Sequence, residues 1–280
     1  MNVTGAGSAR PWPRDVLLGG ILVGVFVLAA LLAPWLAPCD PAAQRLEQRL
    51  EGPSAAHPLG LDELGRDILS RLLHGARVSL LVGLAVVALA GLFGGAAGAL
   101  AGWAGGAVDA ALMRLADVVL AFPGILLAIA LVGVLGPALR HLVLALVAIG
   151  WVGYARLLRA QVLAWREREF VLAGRALGLP GWRLLVRHLL PNVLPPFLVQ
   201  LSLGMAGAIL AEASLSFLGL GIQPPQASWG NLIADGRDAL ASAWWVAAFP
   251  GAALVVAVLA FNLLGEGLRD ALDPRRRRPC

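Results

Sequence analysis

The sequence predicts an all-α, polytopic membrane protein with six transmembrane helices, and three observations lead there. Of 280 residues, 59% are apolar and 14% charged, with a mean hydropathy of +0.80. An ordinary soluble domain carries about 25% charged residues and roughly 45–50% apolar ones. The apolar residues fall into runs of the length that crosses about 30 Å of hydrocarbon at about 1.5 Å per residue. Those runs carry almost no charge. A soluble globule and a disordered chain are both excluded.

The first run, Val16 to Ala37, is uncharged and long enough to span. Leu36-Ala37-Pro38-Cys39 resembles a lipoprotein cleavage box. The run nevertheless exceeds the apolar core of a signal peptide, and Pro38 is a poor substitute for a small residue before the cysteine. A retained helix is expected. Val78 to Gly102 is the second span, also uncharged. The third runs from about Leu115 to Leu135 with Asp117 near its start, and the fourth from Leu139 to Leu158 between Arg140 and Arg156. Val193 to Leu215, interrupted by Gln200, Ser202 and Glu212, is the fifth, and Val246 to Gly265 the sixth.

Arginine placement orients the bundle. All 22 basic residues are arginines. With the N-terminus inside, Arg10, Arg14, Arg114, the seven from Arg156 to Arg187 and the five from Arg269 to Arg278 are cytoplasmic. That excess places both termini in the cytoplasm. The pI near 10.8 owes much to the run Arg275–Arg278, which reads as a juxtamembrane tail rather than a nucleic-acid site. Trp12, Trp35, Trp103, Trp165, Trp244 and Trp245 fall near span ends, where interfacial anchors belong. Cys39 and Cys280 then face opposite sides of the membrane and cannot pair within one chain. The chain divides into a cytoplasmic N-terminus (1–15), a first helix with an external loop (16–77), a five-helix core (78–268) whose charged cytoplasmic segment covers about 159–192, and a basic tail (269–280).

Ala90, Gly94, Gly98 and Gly102 set a small residue at every fourth position of the second span, with Gly91 and Gly95 beside them. Such a stripe lets another helix approach closely, within the chain or between subunits. In the external loop, Leu46 and Leu50 among Arg45, Glu47, Arg49 and Glu51 predict a short surface helix. It would rest on the membrane or a neighbouring subunit, or meet an external binding protein.

The segment between spans four and five is too patterned for a passive connector. Phe170, Ala173 and Leu177 recur on one helical face, and Gly178-Leu179-Pro180-Gly181 breaks that helix. A second short helix follows with Trp182, Leu185, Val186 and Leu189 on one face, and Pro191 is expected to stop it. Both apolar faces need covering.

Glu169-Phe-Val-Leu-Ala173-Gly-Arg-Ala-Leu-Gly178, followed by His188-Leu-Leu-Pro191-Asn192, resembles the EAA loop of ABC importer permeases. Ala173, Gly178, Leu190 and Pro191 match the pattern in register. Leu172 stands where its Glu is expected, Gly174 replaces the second Ala, and His188 its Ile. Glu169 lies three residues upstream, as in the peptide-type subgroup. His57-Pro-Leu-Gly60, Gly65-Arg66-Asp67 to Arg71, Gly75-Ala-Arg77-Val-Ser79-Leu80, Met113-Arg114 to Asp117 and Phe122-Pro123, and Glu212 to Ser216, Gly219, Gly221, Pro224-Pro225 and Ser228-Trp229-Gly230-Asn231 are similar to dipeptide, oligopeptide and nickel permeases. The resemblance implies a cytoplasmic coupling-helix loop bearing Glu169, Ala173, Gly174, Gly178, Leu190 and Pro191, seated in a groove of an ATPase. It also implies a second homologous permease, two ATPase subunits, an external solute-binding protein, a lipid environment and a bacterial inner membrane. The solute would be a di- or oligopeptide, or else nickel or another small solute.

Asp117 and Glu212 are the acids closest to the spans. Such residues face a bundle interior or a water path because ionised acids at mid-bilayer are costly. Asp117 would line or gate the route, or only cap its helix near Arg114. Glu212 would gate it, or sit at the headgroup level. The four histidines are scattered, which leaves a metal site unsupported. No P-loop exists, and without lysine none can. ATP and Mg are therefore expected on the partner ATPase, with no cofactor and no catalytic residue on this chain. A channel or secondary transporter would need several buried acids, and a membrane receptor or scaffold would use the cytoplasmic helices for a signalling partner.

Overall fold

The structure is a computed structural model describing residues 14–272. The basic run Arg275–Arg278, Cys280, Arg10 and Trp12 lie outside the described residues. Ten helices are used below: α1 (Arg14–Leu36), α2 (Ile68–Ala104), α3 (Gly106–Leu120), α4 (Gly124–Leu135), α5 (Leu139–Arg166), α6 (Glu169–Ala176), the short α7 (Gly181–Arg183), α8 (Leu190–Phe217), α9 (Trp229–Arg237) and α10 (Trp245–Leu272). Five of these, counting α7–α8 as one continuous helix, are long and apolar enough to cross a membrane. The α3–α4 pair makes a sixth span if taken together.

The long α2 is the axis of the bundle. Asp67 caps its start, accepting from the Ser70 backbone N–H at 2.8 Å. Its 37 residues reach about 55 Å, so it projects beyond the hydrocarbon. It starts ten residues before the predicted span and carries Arg71, His74 and Arg77 in its added outer turns. α5, α8 and α1 all pack on α2, and α10 pairs with α1 and packs on α8. Gly19 of α1 lies so near the α10 backbone that a Cβ would meet Leu264 Cα at 2.8 Å, and Gly267 of α10 stands equally close to Val16. The main apolar core, including Val82, Val86, Ile209, Leu215, Trp229 and Phe261, joins these helices.

The third span departs from the sequence expectation. In place of one helix over Leu115–Leu135, α3 and α4 meet at an 85° bend. Pro123 lacks the N–H that would continue the ladder and steers Phe122 away from helical geometry. Hydropathy alone reads straight through this break. The 12 residues of α4 rise only about 18 Å, less than the hydrocarbon thickness.

Pro191 does not stop the second cytoplasmic helix either. A π-helical turn, Leu184–Leu189, leads directly into α8, and the Leu190 N–H donates to the Leu185 carbonyl. The wider turn gives the proline ring room where an α-turn would press it against the carbonyl four residues back. Asn192 Nδ2 donates to the His188 carbonyl at 2.6 Å, occupying a carbonyl in the widened turn.

The external loop folds back onto the bundle. Only Leu46–Gln48 form a 3-10 turn. Leu50 packs toward a cluster of Ile68, Ala239, Ala243 and Val246, with Trp245 beside it, while Leu46 stays exposed. The predicted surface helix is thus a short tie to the start of α2 and α10.

Candidate functional site

At one end of the bundle, α6 lies against the ends of α2, α5 and α8. Val171 is fully buried among Ala99, Leu158, Val162, Leu189 and Val193. Gly174 faces the same way, and a Cβ there would meet Leu184 Cδ2 at 2.6 Å. Phe170, Leu172, Leu177, Trp182 and Val186 are exposed, Leu177 at 82%. The inward face is therefore Val171 and Gly174. The Phe170–Ala173–Leu177 stripe picked out by periodicity stays exposed, with only an edge of Phe170 against the chain. The second stripe divides: Leu189 is buried, whereas Trp182 and Val186 are exposed.

Aromatic and basic groups fix the orientation of this element. Trp165 meets Phe170 edge-on with centroids 6.0 Å apart, and Arg175 lies over Trp103 at 5.1 Å. Arg166 Nη1 donates to the Gly102 carbonyl at 3.0 Å, joining α5 to the end of α2. Gly178 ends the element with φ +76°, a left-handed conformation open to glycine at little cost. Glu169, Ala173 and Pro191 are exposed and Leu190 half-buried, so the loop residues split between a presented surface and a clamped underside.

Ala90, Gly94, Gly98 and Gly102 lie along α5. A Cβ at Gly94 would meet Tyr154 Cβ at 2.9 Å, one at Gly98 would meet Ala155 Cα at 2.9 Å, and one at Gly102 would meet Val162 Cβ at 2.8 Å. Gly91 and Gly95 instead face Leu201 and Phe197 of α8. Two small-residue stripes thus let α2 approach two helices at once.

Asp117 and Glu212 do not share a site. Glu212 is completely buried. Its Oε2 accepts from Ser79 Oγ of α2 at 2.9 Å and its Oε1 from Ser216 Oγ at 2.7 Å. Asp117 is exposed on α3 and accepts from Arg156 of α5 at 2.5 Å, so its partner is not Arg114. About two turns nearer the start of α3, Asp109 takes two bonds from Arg159, at 2.5 and 2.6 Å. These pairs strap α3 across α5.

Between α2, α4, α5 and α8 lies a cavity of about 410 Å³, lined by small residues such as Gly150, Gly153 and Gly207, with Gln200 among its polar groups. Among the described residues, no group of three or more His, Cys, Asp and Glu could hold a metal.

Sequence reasoning missed one constellation around the start of α2. Asp62 is buried and accepts from Arg66 Nε at 2.7 Å and from Arg71 Nη1. Both arginines also reach Asp235 of α9, at 3.1 Å. His57 Nδ1 lies 2.9 Å from Asp67 Oδ1. The signal was present in Gly65-Arg66-Asp67 and Arg71, but Asp235 is more than 160 residues away in sequence and only the fold adds it.

Residues 94–278 match the family described as binding-protein-dependent transport system inner membrane component. Residues 16–53 match the N-terminal transmembrane domain of oligopeptide transport permease C. The chain is 46% identical over 271 residues to the dipeptide transport system permease protein DppC of Escherichia coli K12, covering 95% of this chain and 90% of that protein. It is 46% identical over 265 residues to the di/tripeptide transport system permease protein DppC of Pseudomonas aeruginosa UCBPP-PA14, covering 92% and 88%. To the dipeptide transport system permease protein DppC of Alkalihalophilus pseudofirmus it is 44% identical over 261 residues, covering 93% and 86%.

Proposed function

The chain belongs to the binding-protein-dependent transport system inner membrane component family, and from that premise we propose that it is the transmembrane permease subunit of an ATP-driven peptide importer. Di- or oligopeptides reach it from an external binding protein, as the names of its relatives suggest. It pairs with a second, homologous permease, and two ATPase subunits dock below. Both termini are cytoplasmic, in keeping with the arginine placement. Hydrolysis of ATP, with its Mg, takes place on the ATPases, and this chain contributes no catalytic group.

The observation that carries the reading is the construction of α6. Its outer face presents Phe170, Leu172 and Leu177 to the cytoplasm, while Val171 is locked into the base of three long helices. An exposed apolar face of this kind is a surface for a partner, and the locked underside makes it a lever. Closure of the ATPase pair pushes on residues 169–191, and the push passes through Val171 and Gly174 to α2, α5 and α8. The bundle then moves between two states, one of which ATP favours by binding it better.

The test is to tag the chain, purify it gently from its own membrane and identify the subunits that accompany it while assaying ATPase activity. An ATPase and a second permease are expected, with activity stimulated by peptide-loaded binding protein. A complex without an ATPase, under conditions that preserve other membrane assemblies, overturns the reading.

A further inference from the structure

The outer cleft contains two guanidinium groups whose bonding capacity is only partly used. Asp62 holds both from within. It is fully buried, accepts from the backbone N–H groups of Leu64 and Arg66 at 2.9 Å each, and takes Arg66 Nε at 2.7 Å and Arg71 Nη1. Asp235 meets the same arginines from the solvent side with a single oxygen, Oδ2, at 3.1 Å to each. The Asp235 side chain is 36% exposed, against 0% for Asp62. Asp62 is thus the permanent anchor and Asp235 the looser partner. Arg66 Nη1 and Arg71 Nη2 enter none of these bonds, and Arg71 Nε is buried without a partner among the described residues. Guanidinium groups with spare donors at the wall of a cleft suit a carboxylate, which takes two parallel N–H···O bonds.

The space beside them fits a short peptide. Cavities of about 360 and 180 Å³ share Pro224 and Asp235. Gln44 and Arg66 line the outer one, and Arg71, Gln223 and Asn231 the inner one. Gln223 Nε2 already donates to the Gly219 and Gly221 carbonyls and Asn231 Nδ2 to that of Ile222, which leaves their amide oxygens to accept from a peptide backbone. Arg66, Arg71, Asp62 and Asp235 together carry no net charge, so a further anion enters by exchange rather than by addition.

We propose that Arg66 and Arg71 form a carboxylate-reading site, and that its ligand is the C-terminal carboxylate of a short peptide, which replaces Asp235 on the two guanidinium groups. The ligand class rests on the peptide-import reading; the site itself does not. Exchange has a structural consequence. Asp235 belongs to α9 and Arg71 to α2, so a bound carboxylate releases the ionic tie between the two helices and leaves the bond from Trp229 Nε1 to the Leu72 carbonyl, at 3.0 Å, as the tie that remains.

The test uses the full-length chain with its co-purifying subunits in nanodiscs, free of binding protein. Binding of dialanine and of its C-terminal amide is measured by calorimetry, alongside uptake of labelled dialanine by cells carrying the chain. Dialanine is expected to bind, with the amide at least about tenfold weaker, as the loss of a charge-assisted pair implies. Asp235→Asn removes the competing charge and Asp235→Ala the whole acceptor on the partly exposed side, and each tightens dialanine binding about three- to tenfold, leaving the amide unchanged. Equal binding of dialanine and amide, no binding of either, or weaker dialanine binding in both variants overturns the site. Uptake together with equal binding leaves peptide import standing and removes this site. Preference for the free carboxylate without uptake keeps the site and removes peptide import.

Discussion

Gly98 of α2 lies against the backbone of Ala155 in α5, close enough that a Cβ at Gly98 would stand 2.9 Å from Ala155 Cα and closer still to its carbonyl oxygen. The neighbour here is backbone on a long helix, so it cannot turn aside as a side chain could. The contact is one step of a stripe from Ala90 to Gly102 that sets the α2–α5 distance.

Gly98→Val is therefore expected to force the two helices apart at a cost of about 1–3 kcal/mol or more, read as lower yield and an earlier thermal transition in detergent. Gly20→Ala is the control, since nothing lies within 4 Å of a Cβ at Gly20. A Gly98→Val protein as stable as the control would mean that the stripe does not set the spacing.

The two faces of α6 are expected to separate stability from assembly. Phe170→Ser and Leu177→Ser alter exposed residues and should change stability by no more than about 0.5 kcal/mol, yet reduce recovery of the ATPase in pull-down. Val171→Ala removes packing inside the basal cluster and should cost about 1–3 kcal/mol. If the serine variants retain full ATPase recovery, the exposed face is not the docking surface.

Glu212 is held by the hydroxyl groups of Ser79, Ser216 and Ser228 and by no basic group among the described residues. Glu212→Gln keeps the shape and can still bond the serines, whose hydroxyls both donate and accept, so packing and uptake should be retained. Glu212→Leu leaves Ser79 without its acceptor in a buried site and should lose about 1–3 kcal/mol. A Gln variant that folds normally but no longer transports would assign this residue to gating instead.

The two ion pairs on α3 differ in burial and geometry. The Arg159–Asp109 pair is two-pronged and only 34% and 19% exposed, whereas Arg156 and Asp117 are 49% and 61% exposed. Asp109→Asn should accordingly speed hydrogen exchange across 106–120 more than Asp117→Asn, whose pair contributes only about 0–1 kcal/mol. Equal acceleration, or none, would show that α3 is held by apolar contact instead.

Much of the bundle was legible in the residues. The long apolar runs gave the spans because a bilayer sets a minimum length that composition alone must meet. The 178–181 break and the small-residue stripe were equally readable, since each depends on local backbone freedom or side-chain size. The bend at Pro123, the outer turns of α2 and the passage of a helix through Pro191 were not, because mean hydropathy registers neither a missing N–H nor a widened turn.

The functional residues divide along the same line. By itself the sequence determined that the chain crosses the membrane several times and carries a patterned, charged element between its fourth and fifth spans. The tertiary structure decided which face of that element looks outward. Periodicity finds an apolar stripe, but burial is settled by what lies opposite, and here Val171 and Gly174 are covered by the helix bases, Phe170 touches only the edge of Trp165 and Leu177 stands clear. It alone joined Glu212 to Ser79 and brought Asp235 to Arg66 and Arg71. Each of those contacts closes a loop of more than 130 residues, and no local pattern records what a distant segment will place beside a charge.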